Sequence, residues 1–319
     1  VSAGVAPEGS ASLRRARALA ERVSGHPEHM SDALPELADL LASTRDGGDD
    51  DALAAVVSAL GQAGDPRATE LLLPLAAAGH PDAEVRTALA RALSTGTDVE
   101  PVRTRAVAAL VAMTTDPDED VRDWACFALG MNDAADPSSC DALAARLDDP
   151  HRVTRDEALR ALAATGDRRA LAAVRSALTG PTDAGLVSLL QIEAAAELAD
   201  PSLLAPLGEL ARRWADDEDD FTAAVDIAVR RCRPEAALAA ARVEGQLQDV
   251  AERARRSGAP HGRLIGSWPR TRVEEVDATG RPTPGQVMSR LWWADDDPAR
   301  ASPDQLIGTF ITPVVRSPS

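Results

Sequence analysis

DDDALAAVVSALGQAG (residues 49–64), HPDAEVRTALARAL (80–93), DPDEDVRDWACFALG (116–130) and DPHRVTRDEALRALAATG (149–166) read as one unit written four times. Each carries an Ala-Leu pair near its end, with the leucine at 60, 93, 129 and 162, in steps of 33, 36 and 33 residues. A further step of 36 reaches Leu198 in EAAAELAD. Self-similarity at this period marks stacked helical hairpins, because one hairpin cannot bury its apolar face and neighbouring copies bury it together.

The order of residues inside a unit gives the local reading. Asp or Asp-Pro opens the first helix, where a carboxylate can cap free N–H groups and Pro is tolerated at the first helical position. Val85, Leu89, Ala92 and Leu93 recur at helical spacing, as do Val121, Ala125, Ala128 and Leu129, so each helix has one apolar stripe. A second break follows at Gly64-Asp65-Pro66, Gly166-Asp167 and Asp200-Pro201. The helices predicted beyond these breaks include ATELLLPLAAAG, LAAVRSALTG and LLAPLGELARRW.

Composition agrees with an all-α body. Apolar residues make up 45% of the 319, mostly Ala, Leu and Val, while aromatics are only 3% and Tyr is absent. Alanine favours helix and lets helices approach closely, whereas the β-branched and aromatic types that strands favour are scarce before residue 250. The expected fold is an α-solenoid of about seven hairpins, divided into a degenerate capping repeat (1–48), a repeat core (49–217), capping helices (218–256) and a Pro/Gly-rich tail (257–319). Helices are expected to stop near Arg256. Short β-prone pieces follow, RLIGSW, TRVEEV and IGTFITPVV.

These units resemble the short HEAT repeats first described in phycobilin lyases, with the pattern D-x-x-x-V-R-x-x-A-x-x-A-L-G followed by G-D-P-x-A. Val85-Arg86, Val121-Arg122, Arg155 in the equivalent place, and Gly64-Asp65-Pro66-Arg67-Ala68 carry the resemblance, which spans residues 50 to 215. It implies the fold. It specifies function only weakly, since the same scaffold serves adaptors, inhibitors, lyases and regulatory subunits. In resembling proteins the repeated arginine supports neighbouring turns by hydrogen-bonding acidic or carbonyl groups, so Arg86, Arg122 and Arg155, with Asp65 and Asp167 in the turns, are expected to be structural.

The formal charge is -17 and every basic residue is Arg. Residues 256–319 hold eight Arg against seven carboxylates, so the acidity belongs to the helical body. Such a field repels nucleic acid, whose binding is dominated by phosphate neutralisation, and fits a basic protein surface. Cys126, Cys140 and Cys232 form no C-x-x-C pair, which argues against a zinc ribbon or disulfide framework; Cys126 reads as a core thiol. The chain has no 18-residue apolar run and no membrane partner is expected, so the predicted location is the cytoplasm.

Residues that could carry chemistry are few. His26 and His29 form an H-x-x-H without further ligands, His80 and His151 start repeats, and His261 has no nucleophile beside it. The Asp runs at 46–51, 116–120 and 216–220 lack the alternating ligands, central Gly and terminal Glu of a calcium loop. No acid–base pair, nucleophile or phosphate cradle is found, and no catalytic residue, cofactor or metal is predicted. The candidate partner-binding residues are aromatic: Trp124 and Phe127 in one repeat, Trp214 after Arg212-Arg213, and Trp292-Trp293 in the tail. The expected function is a non-enzymatic protein-binding scaffold or regulatory adaptor that uses the concave face of the acidic solenoid, with an immunity-type inhibitor of a basic toxin as the alternative and a chromophore-lyase role, drawn from the resemblance alone, as a remote one.

Overall fold

The computed structural model describes residues 10–24, 27–62, 64–95, 99–180, 187–213, 220–257, 261–265, 269, 272–276 and 289–290. The fold is an all-α solenoid whose chain divides into two compact units, 1–165 and 166–319. In the first unit the helices are α1 (Ala11–Val23), α2 (Met30–Gly47), α3 (Asp50–Gly61), α4 (Pro66–Ala78), α5 (Ala83–Ser94), α6 (Val102–Met113), α7 (Glu119–Met131), α8 (Pro137–Ala145) and α9 (Arg152–Thr165). Odd-numbered helices stack on one another in the order α1–α3–α5–α7–α9, and α4, α6 and α8 form a second row against them. This two-row packing is what the period required.

The periodic leucines are the centre of that packing. Leu60, Leu93, Leu129 and Leu162 are all buried, with Ala59, Ala92, Ala128 and Ala161 beside them. No Trp or Phe enters the core among the described residues; it is built of Leu, Ala and Val with a few Met, Ile and Cys. Small residues set the helix separation. A Cβ added to Gly61 at the end of α3 would lie 2.5 Å from the Cα of Ala92 in α5, and one added to Gly130 of α7 would lie 3.0 Å from the Cβ of Ala161 in α9. Where glycine follows Ala-Leu, at 61 and 130, the next odd helix therefore packs too close to admit a methyl group without a shift.

Aspartate caps the first helices, as the sequence reading expects, and the second helices as well. Asp65 and Asp136 accept hydrogen bonds from N–H groups at the starts of α4 and α8, each with Pro next in line. At the first helices Asp49 accepts from the Ala52 N–H, Asp82 from that of Val85, and Asp118, the later acid of its turn, from those of Asp120 and Val121. Asp116, of the Asp-Pro pair, turns its carboxylate to an arginine of the preceding repeat. A turn that holds two acids can both cap its own helix and receive its neighbour.

The second unit contains α10 (Arg169–Thr179), α11 (Leu189–Leu198), α12 (Leu204–Arg213), α13 (Asp220–Cys232) and α14 (Pro234–Ser257). There α11 packs on α13, α10 on α11 and α12, and α13 on α14. Leu198, the fifth periodic leucine, is only half-buried, because it is the last residue of α11 and Ala199 turns the chain at φ 49°. After α14 the strands β1 (His261–Ile265) and β2 (Arg272–Val276) pair antiparallel with His261 opposite Val276, and β3 (Ser289–Arg290) pairs antiparallel with β2. The third β-prone piece, IGTFITPVV, lies outside the described residues.

Candidate functional site

Two systems of arginines grow out of the odd helices of the first unit. The inner one runs from turn to turn. Arg86 in α5 donates from Nε and Nη2 to the two carboxylate oxygens of Asp116 at 2.8 and 2.9 Å, and from Nη1 to the carbonyls of His80 and Pro81. Arg122 in α7 repeats this geometry, reaching both oxygens of Asp149 at 2.9 Å and the carbonyls of Asp116 and Pro117. Arg155 in α9 donates to the carbonyls of Asp149 and Pro150. Each planar guanidinium closes its own turn with one nitrogen, and in Arg86 and Arg122 the remaining fork holds the next turn, a shape lysine could not reproduce.

The Arg122–Asp149 pair is the most enclosed, with 9% and 0% of the two side chains exposed. Burial alone would raise the Asp149 carboxyl. Hydrogen bonds from Arg122 and from the His151 backbone N–H, with the charge of nearby Arg146, hold it below the usual range instead. Asp65 and Asp167 sit in the other set of turns. Each accepts the backbone N–H of the arginine two residues on, Arg67 and Arg169, and pairs with its guanidinium.

The outer system lies on the solvent side of the odd-helix row. Trp124 and Phe127 of α7 meet edge-to-face, ring centroids 5.2 Å apart and planes at 77°. Arg91 of α5 covers Trp124 at 4.7 Å from the ring centroid, and Arg160 of α9 covers Phe127 at 5.6 Å. Arg160 is itself held by Glu157 at 2.9 Å. Met131, at the end of α7, is 55% exposed. Aligned on the periodic leucine, Ser58, Arg91, Phe127 and Arg160 occupy one repeat position, and Ala55, Ala88, Trp124 and Glu157 another. The repeat that differs from its neighbours is thus the one that presents aromatic surface.

Beside this patch Asp123 places Oδ1 out of contact with solvent and without a hydrogen-bond partner. Burial, reinforced by Glu157 and Asp120 and opposed by His151, pushes its carboxyl up to about 6. Arg91, Arg160 and Asp123 were not singled out by sequence reasoning. The repeat alignment held the signal for the two arginines, which fall in register with Phe127; nothing local marks Asp123.

The remaining candidates do not assemble. Trp214, Trp292 and Trp293 lie outside the described residues, as does His26. His29 Nδ1 lies 3.1 Å from the Arg22 carbonyl, and His151 Nδ1 lies 3.0 Å from the Thr154 hydroxyl. No group of three or more His, Cys, Asp or Glu suited to a metal occurs among the described residues. All three cysteines are free and buried, and burial pushes the thiol of Cys232 up to about 12 and that of Cys126 higher still. Among the described residues no helix is long and apolar enough to cross a membrane.

With this geometry in view, residues 34–130 and 107–191 match the family model of HEAT repeats. This stretch is an array of HEAT repeats. Over 117 residues the chain is 32% identical to Protein YibA of Escherichia coli K12, and equally to that of Escherichia coli O157:H7, an alignment covering 37% of this chain and 40% of YibA. The match thus spans well under half of the length of these relatives. Among solved structures, the X-ray structure of E. coli YibA is similar at 20% identity and a TM-score of 0.38, over 71% of this chain and 100% of that one. An engineered protein is similar at 21% identity and a TM-score of 0.49, over 77% of this chain and 69% of that one.

Proposed function

We propose that this HEAT-repeat chain is a non-enzymatic protein-binding scaffold or regulatory adaptor, of the short phycobilin-lyase-like repeat type, and that the face bearing Trp124 and Phe127 is a docking surface. One observation carries the reading: the only two aromatic side chains of the repeat core described by the structure are left half-buried on α7, outside the packed core, each with an arginine over its ring. Aromatic side chains and arginine are the types that dominate binding energy at protein interfaces, and a rigid setting lowers the entropy lost on docking. A repeat array supplies the extended surface.

The charge of -17 favours a partner with a basic surface, drawn in by exposed acids such as Asp51, Glu84 and Asp120 near the starts of α3, α5 and α7. Inhibition of a basic toxin would be one case of this. Affinity capture from native lysate, with the whole chain and with W124A/F127A and W292A/W293A variants, tests the assignment. Loss of a salt-sensitive basic protein in the first variant supports docking on α7. Loss in the second variant alone moves recognition to the tail, and capture unaffected by either removes the aromatic residues from the function.

A further inference from the structure

The aromatic patch has a definite chemical polarity. Along α3 and α5, between the acidic helix starts and the helix ends, the residues that are not buried are Ala54, Ala55, Ser58, Arg86, Thr87 and Arg91; Arg86 is half-buried and held by Asp116, so Arg91 is the one exposed charge there. Arg91 is exposed, and among the described residues no carboxylate pairs with it; its recorded partner is the Trp124 ring. Arg160 differs, because Glu157 satisfies it through two hydrogen bonds of 3.1 and 2.9 Å. The neighbouring acid, Asp123, turns one oxygen inward. A guanidinium held over an indole by cation–π attraction still has its N–H donors available for a carboxylate acceptor.

We infer that the Arg91–Trp124–Phe127 face anchors a partner segment that presents a carboxylate beside an apolar side chain, the carboxylate taking the fork of Arg91 and the apolar group covering Trp124, Phe127 and Met131. This rests on the protein-binding reading and refines it. The acids at the helix starts set the long-range attraction for a basic surface, whereas Arg91 sets the short-range contact, so the fitting partner is mixed in charge and carries its acid at the anchor.

Selection of random displayed peptides on the full-length protein, followed by affinity measurement on synthetic winners, tests this. The expected consensus places Asp or Glu next to Leu, Phe or Trp. R91Q should weaken the winners about tenfold or more, replacement of the peptide acid by its amide should do the same, and the two changes together should cost no more than either alone. W124A should also release them. Melting curves for each variant separate lost contact from lost fold. A consensus rich in Arg or Lys, or winners that bind R91Q as well as the parent, overturns the carboxylate anchor and leaves the scaffold reading in place. A selection that enriches nothing overturns both.

Discussion

Asp123 and Arg122 are neighbours in sequence with opposite electrostatic fates. Arg122 is enclosed but fully engaged by Asp149 and two carbonyls. Removing Arg122 leaves buried Asp149 with only Arg146 and the His151 N–H, so R122A is expected to cost up to about 3 kcal/mol in urea unfolding. Loss of the exposed Arg67–Asp65 pair in R67A should cost less than about 1 kcal/mol. Asp123 lacks a partner for its inner oxygen, and its carboxyl titrates near 6, above the ordinary 3.8. The folded protein therefore holds that proton more tightly than the unfolded chain does. The resulting stability is complete below the unfolded value and is lost as pH rises through about 6. D123N should raise stability at pH 8 by about 1–2 kcal/mol, a figure reduced from the full shift because the group is partly solvated, and the gain should shrink towards pH 5. Unfolding curves across that pH range check both the sign and the window.

At the scale of the element, the helices are spaced by what their residues lack. Gly61 meets the backbone of Ala92, so G61A should destabilise by about 1–3 kcal/mol even though alanine is the better helix former by about 1 kcal/mol. Gly245 in α14 has nothing within 4 Å of an added Cβ. G245A should accordingly stabilise, by up to about 1 kcal/mol. Measured side by side by thermal melting, the two substitutions separate helix propensity from interhelix clearance. The helix starts were legible in the sequence to within a few residues, because Asp, Pro and the apolar stripe act locally. Which Asp would cap was not: Asp116 and Asp118 are the same residue type two positions apart, and only the arrival of Arg86 from the preceding repeat divides their roles.

For the whole molecule, charge is the property that sequence states most directly. If the -17 of the chain governs encounter with a basic partner, a tenfold rise in salt, which shortens the screening length about threefold, should slow association more than it speeds dissociation. Binding kinetics at two salt concentrations would show this, and equal association rates would remove long-range attraction from the account. The stacked order within the first unit and the paired strands after α14 complete the described fold.

The sequence by itself determined the class, the period, the apolar stripes and the end of the helical body, because each of these depends on residues within a few turns of one another. The positions of Leu60, Leu93, Leu129 and Leu162 in the core followed from that period alone. Only the tertiary structure decided that Arg86 reaches Asp116, that Arg122 reaches Asp149, and that Arg91 and Arg160 enclose the aromatic pair of α7. Those contacts span about one repeat. Their geometry depends on how far one helix slides along the next, and for α7 on α9 that slide is limited by close packing at Gly130, not by any preference written within a single helix.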